Sequence, residues 1–168
     1  VKNLAQGDFV IMGGYLAFSL YNVGVGPITA LPIVALVMFV FGWISYLLII
    51  KRVIDNDMFV SLLATFGLSL FLQQVMNLIY GPEVQTIDSK FPIATMFDSF
   101  VTVPMAKVVS LLLAGGFAAI IVVFMKKSRT GQAIRATAQD PRAARVLGIN
   151  TDRIYAFTFS LNAAICGV

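Results

Sequence analysis

Polar side chains recur at every fourth position of the apolar stretch from Phe59 to Tyr80, and they are Ser61, Thr65, Ser69, Gln73 and Asn77. Each step of four residues in a helix advances about 40° beyond a full turn, so these side chains form one slowly winding stripe. From Ser61 to Asn77 the stripe rises by sixteen residue steps, which is roughly 24 Å of helix and most of the hydrocarbon thickness of a bilayer.

Hydroxyl and amide groups in such a stripe have two possible uses inside a membrane. They hydrogen-bond to neighbouring helices, or they line a path for a polar solute. The sequence does not decide between these two uses. Ser69, Gln73 and Asn77 are the candidates to line a solute path. Gln74 projects about 100° away from the stripe and does not belong to it.

A second polar segment runs from Asn3 to Phe9 and contains Asn3, Gln6, Gly7 and Asp8. Non-helical polar backbone at membrane depth is tolerated only where protein buries it or a cavity adjoins it, so a break here would mark a place for solute to pass. The residues alone favour a water-exposed loop that caps a short helix, with Asp8 near the positive helix end. Asn3, Gln6 and Gly7 are nevertheless candidate path residues.

Several chemistries are excluded by composition. The chain has no His and one Cys, Cys166, which excludes an internal disulfide and a His- or Cys-rich metal site. It has no Gly-rich phosphate loop with Lys, so we predict no bound nucleotide and no cofactor. The candidate ionisable groups within the membrane are limited to Asp8 and Lys107, which lie at the edges of apolar segments. This argues against a membrane enzyme and against an ion channel or ion-coupled carrier.

The elements that carry these residues are apolar blocks too long for an ordinary buried helix. Hydrophobic residues make up 59% of the 168 residues and charged residues 12%, about half the usual charged share. The sequence predicts an all-α integral membrane protein, a multi-spanning helical bundle, as one partial domain over 1–168 that is truncated at both ends. Its apolar segments are about 9–21, 31–50, 59–80, 105–125 and 154–168.

Charge predicts the orientation of these segments. Residues 126–153 hold seven cations and two acids, a net +5, whereas 81–103 hold three acids and one Lys, a net −2. Cations are retained on the cytoplasmic side. The loop 126–153 is therefore predicted inside, together with Lys51 and Arg52, and the loop 81–103 outside.

The basic loop has the sequence features of two compact helices. Asp140 followed by Pro141 is typical of a helix start, and Gly148 of a helix end. A preceding helix over 131–139 is expected to place Ile134 and Ala138 on one face. Topology explains the charge but does not require this capped, Ala-rich architecture, which suits docking to a partner.

Two motifs resemble one transporter family. The run from Gly131 to Asn150, GQAIRATAQDPRAARVLGIN, looks like the cytoplasmic coupling loop of permease subunits of branched-chain amino-acid ABC importers. The run NLAQGDF from Asn3 to Phe9 is similar to the N-terminal signature of that family, and Gly81-Pro-Glu also fits. Gln6 departs from the family, whose members often have His there.

The resemblance implies a non-catalytic transport subunit in the prokaryotic plasma (inner) membrane. Its partners would be a second permease subunit, two cytoplasmic ATPases and an extracytoplasmic binding protein facing 81–103, with no nucleic acid. ATPase coupling would fall to Arg135, Asp140, Pro141, Arg142, Ala143, Ala144, Arg145 and Gly148, with small Ala143 and Ala144 admitting a partner's surface. Urea or short-chain amides are alternative substrates, because related permeases carry them.

Overall fold

The computed structural model describes residues 3–54, 58–81, 93–96 and 101–168, and these are predominantly helical. This confirms the predicted class, an all-α membrane protein. The helices are α1 (Gln6–Asn22), α2 (Pro27–Ser45) continued by a π-helical turn (Tyr46–Ile50) and α3 (Lys51–Val53), α4 (Met58–Tyr80), α5 (Met105–Lys127), α6 (Arg129–Gln139), α7 (Pro141–Val146) and α8 (Thr151–Gly167).

Three helical stretches are long and apolar enough to cross a bilayer, namely Pro27–Val53, Phe59–Tyr80 and Lys107–Lys127. They overlap the apolar segments 31–50, 59–80 and 105–125 of the sequence. A span needs about 20 apolar residues, whereas α1 and α8 have 17 residues each.

The chain divides into two compact units, one formed by Val1–Thr86 with Asn150–Val168 and the other by Ile87–Ile149. The second unit contains α5, α6, α7 and a short antiparallel pair of strands, β1 (Ile93–Met96) and β2 (Val101–Pro104), with Ile93 opposite Pro104. This pair was not predicted; it lies in the loop 81–103, of which 82–92 and 97–100 are outside the described residues.

The first unit is held together by helices that approach closely at small residues. Along α8, the residues Ala156, Ser160 and Ala163 are buried and repeat at helical spacing. A Cβ atom added at Gly42 of α2 would lie 2.7 Å from Ala163 Cβ and 2.9 Å from Ser160 Cα. Such contacts let backbones pack tightly, which is how apolar helices associate when lipid offers no hydrophobic driving force.

Phe9 marks the centre of this packing. Its side chain is fully buried, and its ring meets Phe41 of α2 and Phe159 of α8 edge-on at centroid distances of 6.0 and 5.9 Å. The first helix therefore sits between α2 and α8 through one aromatic side chain placed in its first turn.

Two adjacent glycines of α1 provide a matched test of this close packing. A Cβ at Gly13 would meet the backbone of Gly167, whereas a Cβ at Gly14 would meet nothing within 4 Å. We expect Gly13→Ala to destabilise the full-length protein by about 1–3 kcal/mol through overpacking. Gly14→Ala should be neutral or slightly stabilising. Thermal unfolding in detergent measures both, and equal melting temperatures would show that α1 does not pack on α8 in this way.

Candidate functional site

Helices α1 and α4 lie side by side and run in the same direction. Three hydrogen-bonded pairs join them: Leu4 N–H donates to Thr65 Oγ1 at 3.3 Å, Ser69 Oγ donates to Asp8, and the hydroxyls of Ser19 and Tyr80 are 2.7 Å apart. In each pair the second residue is 61 positions after the first. A constant positive offset means that the helices are parallel and in register over this length.

Asp8 is the centre of a polar cluster, hereafter the Asp8 cluster, formed by Asp8, Ser69 and Gln73. Ser69 Oγ donates to Asp8 Oδ2, Gln73 Nε2 donates to Asp8 Oδ1 at 3.0 Å, and the same Nε2 lies 3.3 Å from Ser69 Oγ. Asp8 is only 5% exposed. Two neutral donors from α4 therefore hold a buried carboxyl group of α1.

The register places this cluster inside the span of α4 and not at its end. Thr65, the partner of Leu4, is six residues beyond Phe59, which is about 9 Å along the helix, and Ser69 is about 15 Å along it. The favoured sequence interpretation was a water-exposed loop that caps a short helix, with Asp8 near the positive helix end. Asp8 does lie in the first turn of α1, but it is not exposed to water. Ala5 and Asp8 are buried, because α4 extends past the start of α1.

The residues before Asp8 form a short polar entry to α1. Asn3 Oδ1 accepts from Ala5 N–H at 3.0 Å, while Asn3 Nδ2 is buried without a hydrogen-bond partner among the described residues. Gln6 Nε2 donates to Asn162 Oδ1 of α8 at 3.0 Å. Gly7 is exposed, with open space where a side chain would begin.

Asn162 was missed in the sequence, although an amide inside the apolar block 154–168 was a usable signal.

The polar stripe of α4 divides into a packed part and an exposed part. Thr65 and Ser69 are buried, and Ser61 Oγ donates to the carbonyl of Val53 at 3.2 Å. Gln73 and Asn77 are exposed. Because the stripe winds about 40° per step, it leaves the helix interface after Ser69. Gln73 is both bonded to Asp8 and exposed, and so connects the Asp8 cluster to the helix surface.

The basic loop contains capped helices, as the sequence predicts. Asp140 Oδ1 accepts from the N–H groups of Arg142 and Ala143 at 2.8 and 3.1 Å, and Asn150 caps α8 through Arg153 N–H at 3.1 Å. Ser128, an additional cap, accepts from Gly131 N–H at 2.9 Å.

Gly148 ends α7 by adopting a left-handed conformation. Its φ is +82°, its N–H donates to Arg145 O, and Ile149 N–H donates to Ala144 O. These are the two hydrogen bonds of a Schellman motif, which favours glycine at this position. The exit direction of the chain from α7 is thus fixed by backbone geometry.

The outward surface of the loop differs from the predicted one. Ala144 is 2% exposed, so it packs inside the chain and does not offer space to a partner, whereas Val146 and Leu147 are 88% and 78% exposed. On α6, Thr137 is buried and Ala138 exposed, so Ala138 does not share a packed face with the half-buried Ile134. Arg142, Ala143 and Arg145 remain on the exposed side of α7.

Arg135 acts within the loop. Its guanidinium donates to the carbonyl of Met125 at the end of α5, an acceptor that the helix itself leaves unpaired. Gly131 packs against the same residue, since an added Cβ would lie 2.5 Å from Met125 O and 2.7 Å from Met125 Cα. Both residues fix how α6 leaves α5.

Long apolar helices, a buried polar cluster between two of them and a capped basic loop define a multi-spanning helical membrane protein. Among the described residues, no group of three or more His, Cys, Asp or Glu side chains is placed to hold a metal ion.

The family model for the permease component of branched-chain amino acid transport systems matches residues 1–168. The chain belongs to that family. It is 28% identical over 181 residues to the high-affinity branched-chain amino acid transport system permease protein LivH of Escherichia coli, covering 99% of this chain and 58% of that protein. It is 31% identical over 179 residues to a probable LivH of Methanocaldococcus jannaschii, covering 100% and 55%.

A third relative, the permease protein BraD of Pseudomonas aeruginosa, is 25% identical over 184 residues, covering 99% of this chain and 58% of the relative. The chain thus spans little more than half the length of these curated relatives. No solved structure shows significant similarity to it.

The two neighbouring glutamines of α4 test the Asp8 cluster. Gln73→Leu removes a donor from a buried carboxyl group, which typically costs about 1–3 kcal/mol, whereas the exposed Gln74 has no such contact. We expect Gln73→Leu to lower the melting temperature and the uptake rate of the full-length protein, and Gln74→Leu to change neither. If both variants behaved like the wild type, the hydrogen bond to Asp8 would have no role; if both failed to express, both glutamines would serve packing.

Proposed function

We propose that this chain is part of the translocation subunit of an ATP-driven importer for branched-chain amino acids. The observation that carries the proposal is the basic α6–α7 loop, in which each helix is capped and α7 presents an exposed apolar pair, Val146 and Leu147. The membership of the family supports the same function. The subunit carries the solute and leaves ATP hydrolysis to partners.

The charge distribution supports the orientation. The loop 126–153 carries +5 and the loop 81–103 carries −2, so the first is cytoplasmic and the second external. The parallel pairing of α1 with α4 agrees with this arrangement, because alternate spans in a membrane run in the same direction. The membrane is the prokaryotic plasma membrane.

The assembly contains a second permease subunit, two cytoplasmic ATPases and an extracytoplasmic binding protein that docks on the external side. Apolar side chains as exposed as Val146 and Leu147 in an aqueous loop indicate a protein contact. Arg142 and Arg145 flank that contact and can meet acidic groups. Asp140, Pro141 and Gly148 shape α7, and Ala144 anchors it, while Arg135 holds α6 against the end of α5.

The solute path runs past the first turn of α1 and the exposed part of the stripe. Asn3, Gln6 and Gly7 contribute polar groups from α1, and Ser69, Gln73 and Asn77 contribute them from α4. The support is that polar groups inside the span of α4 face either protein or a wet cavity, and that Gln6, Gly7, Gln73 and Asn77 are exposed.

Two other functions have specific support. Urea or short-chain amides would also suit an amide-lined path. A cation-coupled carrier is favoured by the buried Asp8, because a carboxyl group at membrane depth often marks an ion site. Uptake that persists without ATP and collapses with an ionophore would identify the carrier, and uptake of urea without leucine would identify the other substrate class.

The orientation is tested by labelling single cysteines with an impermeant thiol reagent on intact cells, in a Cys166→Ser background. Positions 85–100, such as Ser89→Cys, should react, and positions 128–150, such as Gln139→Cys, should react only after the cells are opened. The reverse pattern would invert the orientation and move the ATPase side. A Cys166→Ser protein without added cysteine gives the background.

Coupling is tested at the exposed apolar pair. Val146→Ser with Leu147→Ser should leave the helices folded, because neither side chain is buried, yet reduce ATPase stimulation by the loaded binding protein at least about tenfold by removing central contacts of an interface. The measurement is ATPase rate in proteoliposomes together with co-purification of the ATPases.

Gln139→Ala on α6 is the matched control, since Gln139 is also exposed and lies outside α7. It should behave like the wild type. Full stimulation in the double variant would show that α7 is not the ATPase contact. A bulky change at Ala144 would not be informative, since that residue packs inside the chain.

A further inference from the structure

We propose that the Asp8 cluster receives the ammonium group of the transported amino acid, with the Asp8 carboxylate as its counter-charge. This inference rests on the proposed function and assigns the substrate class within it: solutes with a protonated amino group, in preference to neutral urea or amides. Asp8 is thereby a specificity-determining residue of the solute path.

The first support is that, among the described residues, the hydrogen bonds of Asp8 come from neutral side chains. The helices that contact α1 are α2, α4 and α8. Their sequences contain two charged residues, Asp152 and Arg153, both in the first turn of α8 and exposed. The hydrogen-bond partners of Asp8, Ser69 and Gln73, are neutral. Buried charges in proteins are normally paired, and the ammonium group of a solute would supply such a pair for Asp8.

The second support is the orientation of the Gln73 amide. Its Nε2 is directed to Asp8 Oδ1 and Ser69 Oγ, an assignment that follows from the hydrogen-bond network. The carbonyl oxygen Oε1 of the same amide takes no part in these two contacts, and Gln73 as a whole is exposed. A solute that reaches Gln73 is therefore offered the neutral acceptor Oε1 and the neighbouring carboxyl group of Asp8.

An ammonium group matches these acceptors. It has three donors and no acceptor, so it can bond to Gln73 Oε1 and to a free lone pair of the Asp8 carboxylate, which uses two of its roughly four acceptor sites on Ser69 and Gln73. Hydrogen bonds between ionised groups are about twice as strong as neutral ones, so a neutral amide donor gains less at the same place.

Access is available at the first turn of α1. Gly7, the neighbour of Asp8, is exposed and has open space where a Cβ would lie. Gln6 is also exposed. A solute can thus reach the cluster past a backbone that carries no side chain at that point.

The test uses the full-length permease with its own ATPases and binding protein in proteoliposomes, and measures radiolabelled leucine transported per ATP hydrolysed. Asp8→Asn keeps the size of the side chain and removes its charge. We expect this ratio to fall at least about tenfold, and Asp8→Glu to recover part of it. Ser19→Ala is the control, because it removes a different hydrogen bond between α1 and α4 without touching the acid; it should stay within about threefold of the wild type.

A second pair of variants keeps the test decisive if Asp8→Asn does not assemble. Gln73→Lys places a tethered ammonium beside Asp8 and should block leucine transport at least about tenfold, whereas Gln74→Lys on the neighbouring face should not. Normal transport in Asp8→Asn or Gln73→Lys would overturn the proposal. A loss in Ser19→Ala as large as in Asp8→Asn would also overturn it, by showing that Asp8 only joins two helices.

Transport by the wild-type assembly distinguishes a failure of this inference from a failure of the proposed function. A wild-type assembly that transports urea or acetamide but not leucine would refute the proposed substrate, and the ammonium site with it. A wild type that transports leucine alongside an equally active Asp8→Asn variant would leave the importer function standing and refute the ammonium site alone.

Discussion

The rest of the first unit is arranged around one requirement, that the carboxyl group of Asp8 be satisfied by protein at a depth where lipid supplies no partner. Ser69 and Gln73 of α4 meet it. Together with the hydrogen bonds between Leu4 and Thr65 and between Ser19 and Tyr80, this contact holds α1 parallel to α4 and in register with it. Because Asp8 shares its helical turn with the fully buried Phe9, that register also determines where α1 meets α2 and α8.

Packing on the other side of α1 depends on small residues. Gly13 of α1 and Gly42 of α2 both lie where a Cβ would collide with α8. The residues of α8 at these contacts are also small, namely Ser160, Ala163 and Gly167. The first unit thus combines two kinds of contact suited to lipid, directed hydrogen bonds toward α4 and close van der Waals contact toward α8. Neither depends on burying apolar area away from water.

Local features of this structure were predictable, and long-range ones were not. The apolar blocks, the Asp140 cap and the left-handed Gly148 follow from residues within a few positions of one another. The burial of Asp8 depends on a partner 61 residues away. The burial of Ala144 depends on how the six-residue helix α7 packs. Ala143 and Ala144 look alike in sequence, so only packing distinguishes the exposed one from the buried one. The strand pair also depends on a non-local pairing.

The parallel register has a consequence for biosynthesis. A chain is made at about 5–20 residues per second, so the partners of Asp8, which are 61 and 65 residues later, appear about 3–13 seconds after it. During that interval the acidic side chain of α1 lacks these two partners, which makes independent release of α1 into lipid unfavourable. We therefore expect α1 to enter the bilayer together with α4, and not before it.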